Sequence, residues 1–292
     1  MRLSRRRFIA ISAGFACVPA TAQASTWRGR AFGADVAITL NGPRAQTEAA
    51  LTDARRALRE IEALFSLYDP GSALSQLNRT GQLHQPDPRF FALMQASDTA
   101  YHLTDGLFDP TVQPLWQASA TGGNANAARA RVGWERVTFT PEAVTLERGQ
   151  AITFNGIAQG FATDAVASGL QRRGFREALI NIGEFRALAG PWRLGLSDPR
   201  WGHLGNRTLQ DHAIATSSPG ALHLGHEAHI LHPAARPHWS SVSVEAATAT
   251  LADSLSTALV LTPLAQIRSI KDARPGLGRI TLVSPDGDLS TV

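Results

Sequence analysis

The chain has 292 residues, a formal net charge of +4 and 43% apolar residues, with one cysteine and one lysine, Lys271. Arg2, Arg5, Arg6 and Arg7 carry the whole excess, so residues 25–292 are formally neutral and no basic nucleic-acid face is expected. The lone cysteine, Cys17, excludes an intramolecular disulfide and a thiolate metal centre, and no repeat, heptad or low-complexity linker occurs.

The first elements are a targeting pattern. "SRRRFIA" (residues 4–10) is followed by an apolar run through Val18 and a small-residue cleavage site, Ala22-Gln23-Ala24. The run is too short for a permanent membrane span. Residues 1–24 are therefore expected to be a twin-arginine signal peptide, placing the mature domain, 25–292, in the periplasm. A lipid anchor at Cys17 is the lesser alternative.

Within 25–292, "GRAFGADVAITL" (29–40) predicts a strand entered through a glycine turn. Leu51, Ala54, Leu58, Ile61 and Phe65 recur at helical spacing. Asp69-Pro70-Gly71 marks a turn, and a second helix is expected over 88–104, stopped by Gly106. The two prolines of "FDPTVQPLW" argue against a regular helix or central strand. Residues 119–133, rich in Gly, Asn and Ala, read as a surface insertion, and 136–155 as strand around a turn. "GIAQGFATDAVASGLQRRG" (156–174) reads as a glycine loop entering a helix that stops at Gly174. "EALINIGEF" and "WRLGLSD" each read as a strand. "SVSVEA", the helical "TLADSLSTALVL" (250–261) and "RITLVS" complete the chain. Helices and strands mix without strict βαβ alternation, so the expected class is α+β, in a single domain.

Three constellations carry chemistry. His223, His226, His229 and His232 recur every third residue, but intervening glycine and proline turns argue against four converging zinc ligands. Gly156 and Gly160 at a helix entry form a candidate phosphate cradle, or simply a helix start that needs glycine. Asp253 and Thr257 are four apart on one helical face. They are either hard oxygen donors for Mg²⁺ or a cap and back-bonded hydroxyls. No G-x-S-x-G, Walker A or G-x-G-x-x-G pattern occurs.

Taken in order, "AFGADVAITL", "FSLYDPGSALSQLN", "GLFDPTVQPLW", "FNGIAQGFATDAV", "INIGEF", "ATSSPG", "HILHP" and "LADSLSTAL" resemble the blocks of the ApbE family, the FAD:protein FMN transferases. The resemblance implies a Mg²⁺-dependent transferase that splits the FAD pyrophosphate, attaches FMN to a Thr or Ser of an acceptor flavoprotein and releases AMP. It implies metal ligation by Asp253, Thr257 and the Gly156 carbonyl, and FAD contacts from Tyr68, Leu107, Phe108, Asp109, Thr153, Gln159 and Ile230. Asp253 is thereby also catalytic, and His229 is the implied general base. Thr153, Gln159, Glu184 and Ser218 depart from the family pattern. The segments "FNGIAQGFATD" and "NIGEFRALAG" together are similar to the NosX branch, which implies a membrane-bound, NosR-like acceptor. A hydrolase giving FMN and AMP, or an FAD carrier without transfer, are the alternatives.

Overall fold

The computed structural model describes residues 24–292 apart from Pro275, so the predicted signal segment, with Cys17, lies outside the described residues except for Ala24. Strands β1 (Ala24–Ala31) and β2 (Ala34–Asn41) form a hairpin. Its two turn residues, Phe32 and Gly33, have φ of 52° and 76°, the left-handed values a tight hairpin requires. Helix α1 (Arg44–Phe65) buries Ala54, Leu58, Ile61 and Phe65, the face the sequence predicts. Helix α2 (Ala73–Thr80) starts at Ser72, whose Oγ accepts the Ser75 N–H at 3.0 Å. After β3 (Gln82–His84), α3 (Pro88–Leu103) fills the predicted span, capped by Asp87.

The next segment corrects one expectation. Pro110 opens a 3₁₀ turn, Pro110–Val112, and Pro114 stands in the first turn of α4 (Gln113–Thr121). Both prolines sit where a helix has no use for their missing N–H, so residues 110–116 of "FDPTVQPLW" are helical after all. Residues 119–133 hold the end of α4 and α5 (Ala125–Arg129), which buries Ala128. This stretch lies largely at the surface, as expected, and is partly helical. The strand signal over 136–155 yields only β4 (Thr138–Phe139) and β5 (Ala143–Thr145), which form a small sheet with β3.

Helix α6 (Ala158–Arg172) follows, and Gly174, with φ of 84°, ends it as predicted. "EALINIGEF" is two strands, not one: β6 (Ala178–Asn181) and β7 (Phe185–Leu188) pair antiparallel, with Asn181 opposite Phe185. The turn between them carries Gly183 at φ of 90°. The hairpin β8 (Trp192–Asp198) and β9 (Gly202–Leu209) leads to β10 (Ala213–Ser217). A short hairpin, β11 (His223–Leu224) and β12 (Glu227–Ala228), precedes β13 (Ser241–Ala246). Helices α7 (Ala249–Leu259) and α8 (Leu264–Asp272) and strands β14 (Leu277–Val283) and β15 (Leu289–Thr291) end the chain.

Eight strands form one antiparallel sheet in the order β1-β2-β6-β7-β10-β13-β14-β15. Alternation along each strand serves two cores. Ile38, Ala178, Ile180 and Leu188 face α1, α3 and α6, while Ala213, Val244 and Ile280 face α7 and α8. On the opposite face Leu179, Ala187 and Ile214 pack against Trp192, Leu194 and Leu209 of the β8–β9 hairpin. Helices thus cover one side of an antiparallel sheet, the α+β arrangement expected. No helix of the described residues is long and apolar enough to cross a membrane.

Candidate functional site

Three contacts position the entry to α6. Asn78 clamps Ile152 from both sides, donating Nδ2–H to its carbonyl and accepting its N–H, each at 2.8 Å. Phe154 is buried edge-on between the rings of Phe65 and Phe90, with centroids 5.4 and 5.6 Å away. The Thr153 N–H donates to the Pro110 carbonyl at 2.8 Å, which ties this loop to the Phe-Asp-Pro-Thr segment. Gly156 and the N-terminal end of α6 therefore face a cleft, and that end carries the positive pole of the helix.

Helix α7 brings the opposing wall. Thr248 is its cap, accepting the Leu251 N–H at 3.3 Å, and Asp164 of α6 accepts from the N–H groups of Ala249 and Thr250 at 2.9 and 2.8 Å. Asp253 therefore does not cap its own helix. It lies in the second turn, 3% exposed, and its Oδ2 accepts the Gly160 N–H at 2.9 Å. A Cβ at Gly160 would come within 2.3 Å of the Ala249 carbonyl oxygen, so only glycine lets the two helices approach this closely. One turn on, Thr257 Oγ1 is 3.5 Å from the Gly156 carbonyl oxygen. A Cβ at Gly156 would lie 2.8 Å from that same Oγ1. Ser217 at the end of β10 hydrogen-bonds both Ser256 Oγ, at 2.8 Å, and Thr257 Oγ1, at 3.3 Å.

The floor of the cleft is electrostatically unbalanced. Burial pushes the Asp253 carboxyl up to about 7, against the Gly160 N–H that favours its ionised form. Glu184, in the β6–β7 turn, is raised well above the ordinary range by burial and then by the Asp253 charge. Its Oε2 accepts the Thr216 N–H at 3.2 Å. Among the described residues no arginine, lysine or histidine pairs with either carboxylate. Without a cation, the two buried carboxyls avoid the cost of unpaired buried charge by holding their protons. Beside them the Gln159 side-chain Nε2 is buried with no acceptor.

His229 projects from the segment after β12. Its Nδ1 lies 3.2 Å from both the Pro219 and Leu222 carbonyl oxygens, which assigns the proton to Nδ1 and leaves Nε2 with a lone pair. Burial holds its pKa below the ordinary histidine value. His232 serves the backbone instead: its Nδ1 accepts from the N–H groups of Ala234 and Ala235 at 3.2 and 2.9 Å. His223 and His226 are exposed on the β11–β12 hairpin. Among the described residues no group of three His, Cys, Asp or Glu side chains is arranged to hold a metal.

Leu107, Phe108, Asp109, Thr153, Gly156, Gln159, His229, Ile230, Asp253 and Thr257 all line this one cleft. Tyr68 does not line it; it is 55% exposed on the turn before α2. Asp109 has a structural task as well, since its Oδ1 accepts from the Thr111 N–H and hydroxyl at 2.7 and 2.6 Å. Sequence reasoning missed the apolar wall of Val112, Trp116 and Leu261 and the polar Thr216 and Ser217. It marked Glu184 and Ser218 only as departures, and both line the cleft.

An antiparallel sheet layered with helices, carrying one cleft between two helices and an apolar wall, defines the structural class. The ApbE family model matches residues 32–280, and the chain belongs to the ApbE family. An FAD:protein FMN transferase of Vibrio cholerae is 27% identical over 192 residues, covering 57% of this chain and 57% of the relative. One of Rhodobacter capsulatus is 26% identical over 288 residues, covering 88% of this chain and 55% of the relative. The chain thus spans little more than half the length of these curated relatives. The flavin transferase ApbE of Vibrio cholerae shares the fold with a TM-score of 0.80 at 23% identity, over 92% of this chain and 97% of that one. The ApbE protein of Thermotoga maritima gives 0.81 at 25% identity, over 92% and 96% of the two chains.

Proposed function

We propose that this chain is a cation-dependent FAD:protein FMN transferase. The observation that carries the reading is the meeting of the α6 N-terminus, the Asp253–Thr257 face of α7 and the Nε2-free His229 around one cleft with an apolar wall. FAD needs those three environments, since it joins two aromatic systems through a doubly charged pyrophosphate.

The donor set fits Mg²⁺. The Gly156 carbonyl, the Asp253 carboxylate and the Thr257 hydroxyl are hard oxygen atoms, and a divalent cation would displace the protons that burial favours on Asp253 and Glu184. Bound there, Mg²⁺ would neutralise developing charge on the phosphate oxygens. The chain's own residues do the rest. The positive end of α6 and the backbone N–H groups of the Gly156 loop hold the pyrophosphate. Leu107, Phe108 and Ile230 shelter a ring from water. His229 Nε2 takes the proton of an acceptor Thr or Ser hydroxyl as its oxygen attacks the FMN phosphorus. The bond from that phosphorus to the bridging oxygen breaks, and AMP leaves with the oxygen.

The reading extends to an acceptor flavoprotein outside the cytoplasm, on the ground of the twin-arginine pattern and the NosX-like "NIGEFRALAG" segment, with a membrane-bound NosR-like protein as the first partner to assay. The test mixes the purified chain with FAD, Mg²⁺ and a tagged acceptor and follows covalent flavin fluorescence on the acceptor. Labelling that requires Mg²⁺ and disappears in Asp253→Ala supports the reading. Free FMN and AMP with no labelled acceptor would make the chain a hydrolase, and intact bound FAD would make it a carrier.

A further inference from the structure

We propose that Ser217 is the positioning residue of the cation site: it takes the hydroxyl proton of Thr257 and so turns a lone pair of that oxygen toward the cation. The inference rests on the Mg²⁺ reading above.

Thr257 breaks a habit of the chain. A helical threonine ordinarily places its hydroxyl proton on the carbonyl four residues back. Thr52, Thr99 and Thr163 do so, donating to the carbonyls of Glu48, Gln95 and Gln159 at 2.9, 3.0 and 2.8 Å. The carbonyl four residues before Thr257 belongs to Asp253, and it accepts the Ser256 hydroxyl at 3.0 Å instead. Among the described residues two acceptors remain for the Thr257 proton. One is the Gly156 carbonyl oxygen at 3.5 Å, the other Ser217 Oγ at 3.3 Å.

Ser217 stands on the side of its strand that meets α7. Ala213, Ala215 and Ser217 alternate along β10, and the two alanines pack in one core with Ala252, Leu255 and Leu259 of that helix. Ser217 and Thr257 both line the cleft.

Ligation decides between the two acceptors. An oxygen ligand presents a lone pair to its cation. If the Gly156 carbonyl and the Thr257 hydroxyl share one cation, a proton lying between them would point at positive charge. The proton must go to Ser217. Every further direction then follows, because each hydroxyl has one proton. Ser217 accepts from Thr257 and donates to Ser256 Oγ, 2.8 Å away, and Ser256 donates to the Asp253 carbonyl. The chain of donors ends on the backbone of the residue whose carboxylate is the charged ligand. Without a cation the reverse order, ending on the Gly156 carbonyl, is satisfied as well. Loading the site therefore selects one order of two, and Ser217 is what makes that order available.

Mn²⁺ is the probe, its binding read from the loss of the free-ion EPR signal, with and without FAD. Ser217→Ala removes the acceptor and leaves the Thr257 proton unpaired or facing the cation. Its Mn²⁺ dissociation constant is expected to rise about tenfold, the scale of one buried hydrogen bond lost. Ser217→Cys keeps the shape but offers only a weak acceptor, and its affinity is expected to fall between wild type and Ser217→Ala.

Ser256→Ala supplies the contrast. It deletes a fully buried hydroxyl that takes part in two hydrogen bonds, yet it leaves the lone pairs of Ser217 available to Thr257. Mn²⁺ affinity is expected to change less than threefold, while melting in EDTA shows Ser256→Ala to be the less stable of the two alanine variants. A merely structural serine cluster would make affinity follow stability. Wild-type affinity in Ser217→Ala, wild-type affinity in Ser217→Cys, or an equal loss in Ser256→Ala would overturn the assignment and leave the cation reading standing. No Mn²⁺ binding by the wild-type chain, with or without FAD, would overturn both.

Discussion

The backbone N–H of Gly160 donates to Asp253 Oδ2 at 2.9 Å, and a Cβ on Gly160 would stand 2.8 Å from the Asp253 Cβ. One missing methyl group therefore joins two helices and orients a buried carboxylate at once. Gly160→Ala also drives its methyl to within 2.3 Å of the Ala249 carbonyl, which is backbone and cannot rotate aside. The helices must separate, at a cost of about 1–3 kcal/mol, the usual range for overpacking. Urea unfolding is expected to show that loss, and Mg²⁺-dependent FAD binding to weaken with it. Wild-type stability would mean that the α6–α7 contact tolerates a methyl.

Asp253→Asn separates charge from shape. The amide oxygen still accepts the Gly160 N–H, while the buried charge and its repulsion of Glu184 disappear. Because burial raises the Asp253 pKa to about 7, the folded chain binds more protons than the unfolded one between about pH 4 and 7. Stability of the cation-free wild type therefore falls as pH rises through that window, and Glu184 acts in the same direction. Melting temperatures of wild type and Asp253→Asn, taken in EDTA from pH 4.5 to 8, should diverge as pH rises, with the variant the more stable at pH 8. The same variant should lose Mg²⁺-dependent labelling. Parallel curves would show that Asp253 is not the group that titrates.

Periodicity made α1, α3 and α6 legible, because each has one strongly buried face and a clear stop. Residues 110–121 defeated it, since proline forbids a helix interior and not its first turn, and sequence alone does not say which position a proline takes. The β6–β7 hairpin hid because its strands are four residues each and buried on both faces, so they read as one apolar run. Asp253 and Thr257 were legible as a pair through helical spacing, whereas the choice between cap and ligand required Thr248, whose side chain takes the cap. The hydrogen-bonded chain of Asp198, Ser241 and Ser218 was invisible, because its members come from three separate segments and no local pattern links them.

Asp164 tests how firmly α7 is anchored. Its carboxylate accepts from the Ala249 and Thr250 N–H groups and from the Thr250 hydroxyl at 2.7 Å, binding the start of α7 to the middle of α6. Asp164→Ala leaves those N–H groups unmet and removes a negative charge from the helix N-terminus. A loss of about 1–3 kcal/mol is expected on urea unfolding. Asp164→Asn keeps one acceptor oxygen and should recover part of it. If Asp164→Ala matched the wild type, Thr248 alone would be sufficient to start the helix.

His229 tests the proton-transfer step apart from binding. The Pro219 and Leu222 carbonyls hold its Nδ1–H, so Nε2 is ready to accept a proton, and burial lowers its pKa so that it stays neutral below pH 6.5. His229→Asn is expected to lower single-turnover labelling of the acceptor about 10²–10⁴-fold, the usual contribution of a general base, with FAD affinity changed by less than threefold. The wild-type rate should hold from pH 8 down to below 6.5 and then fall as Nε2 is protonated, and the variant should lack that acid limb. The sign follows from the lowered pKa, since a less basic histidine keeps its lone pair to lower pH. A variant that keeps the acid limb would place the base elsewhere, and a variant that loses FAD affinity in proportion to rate would make His229 a binding residue.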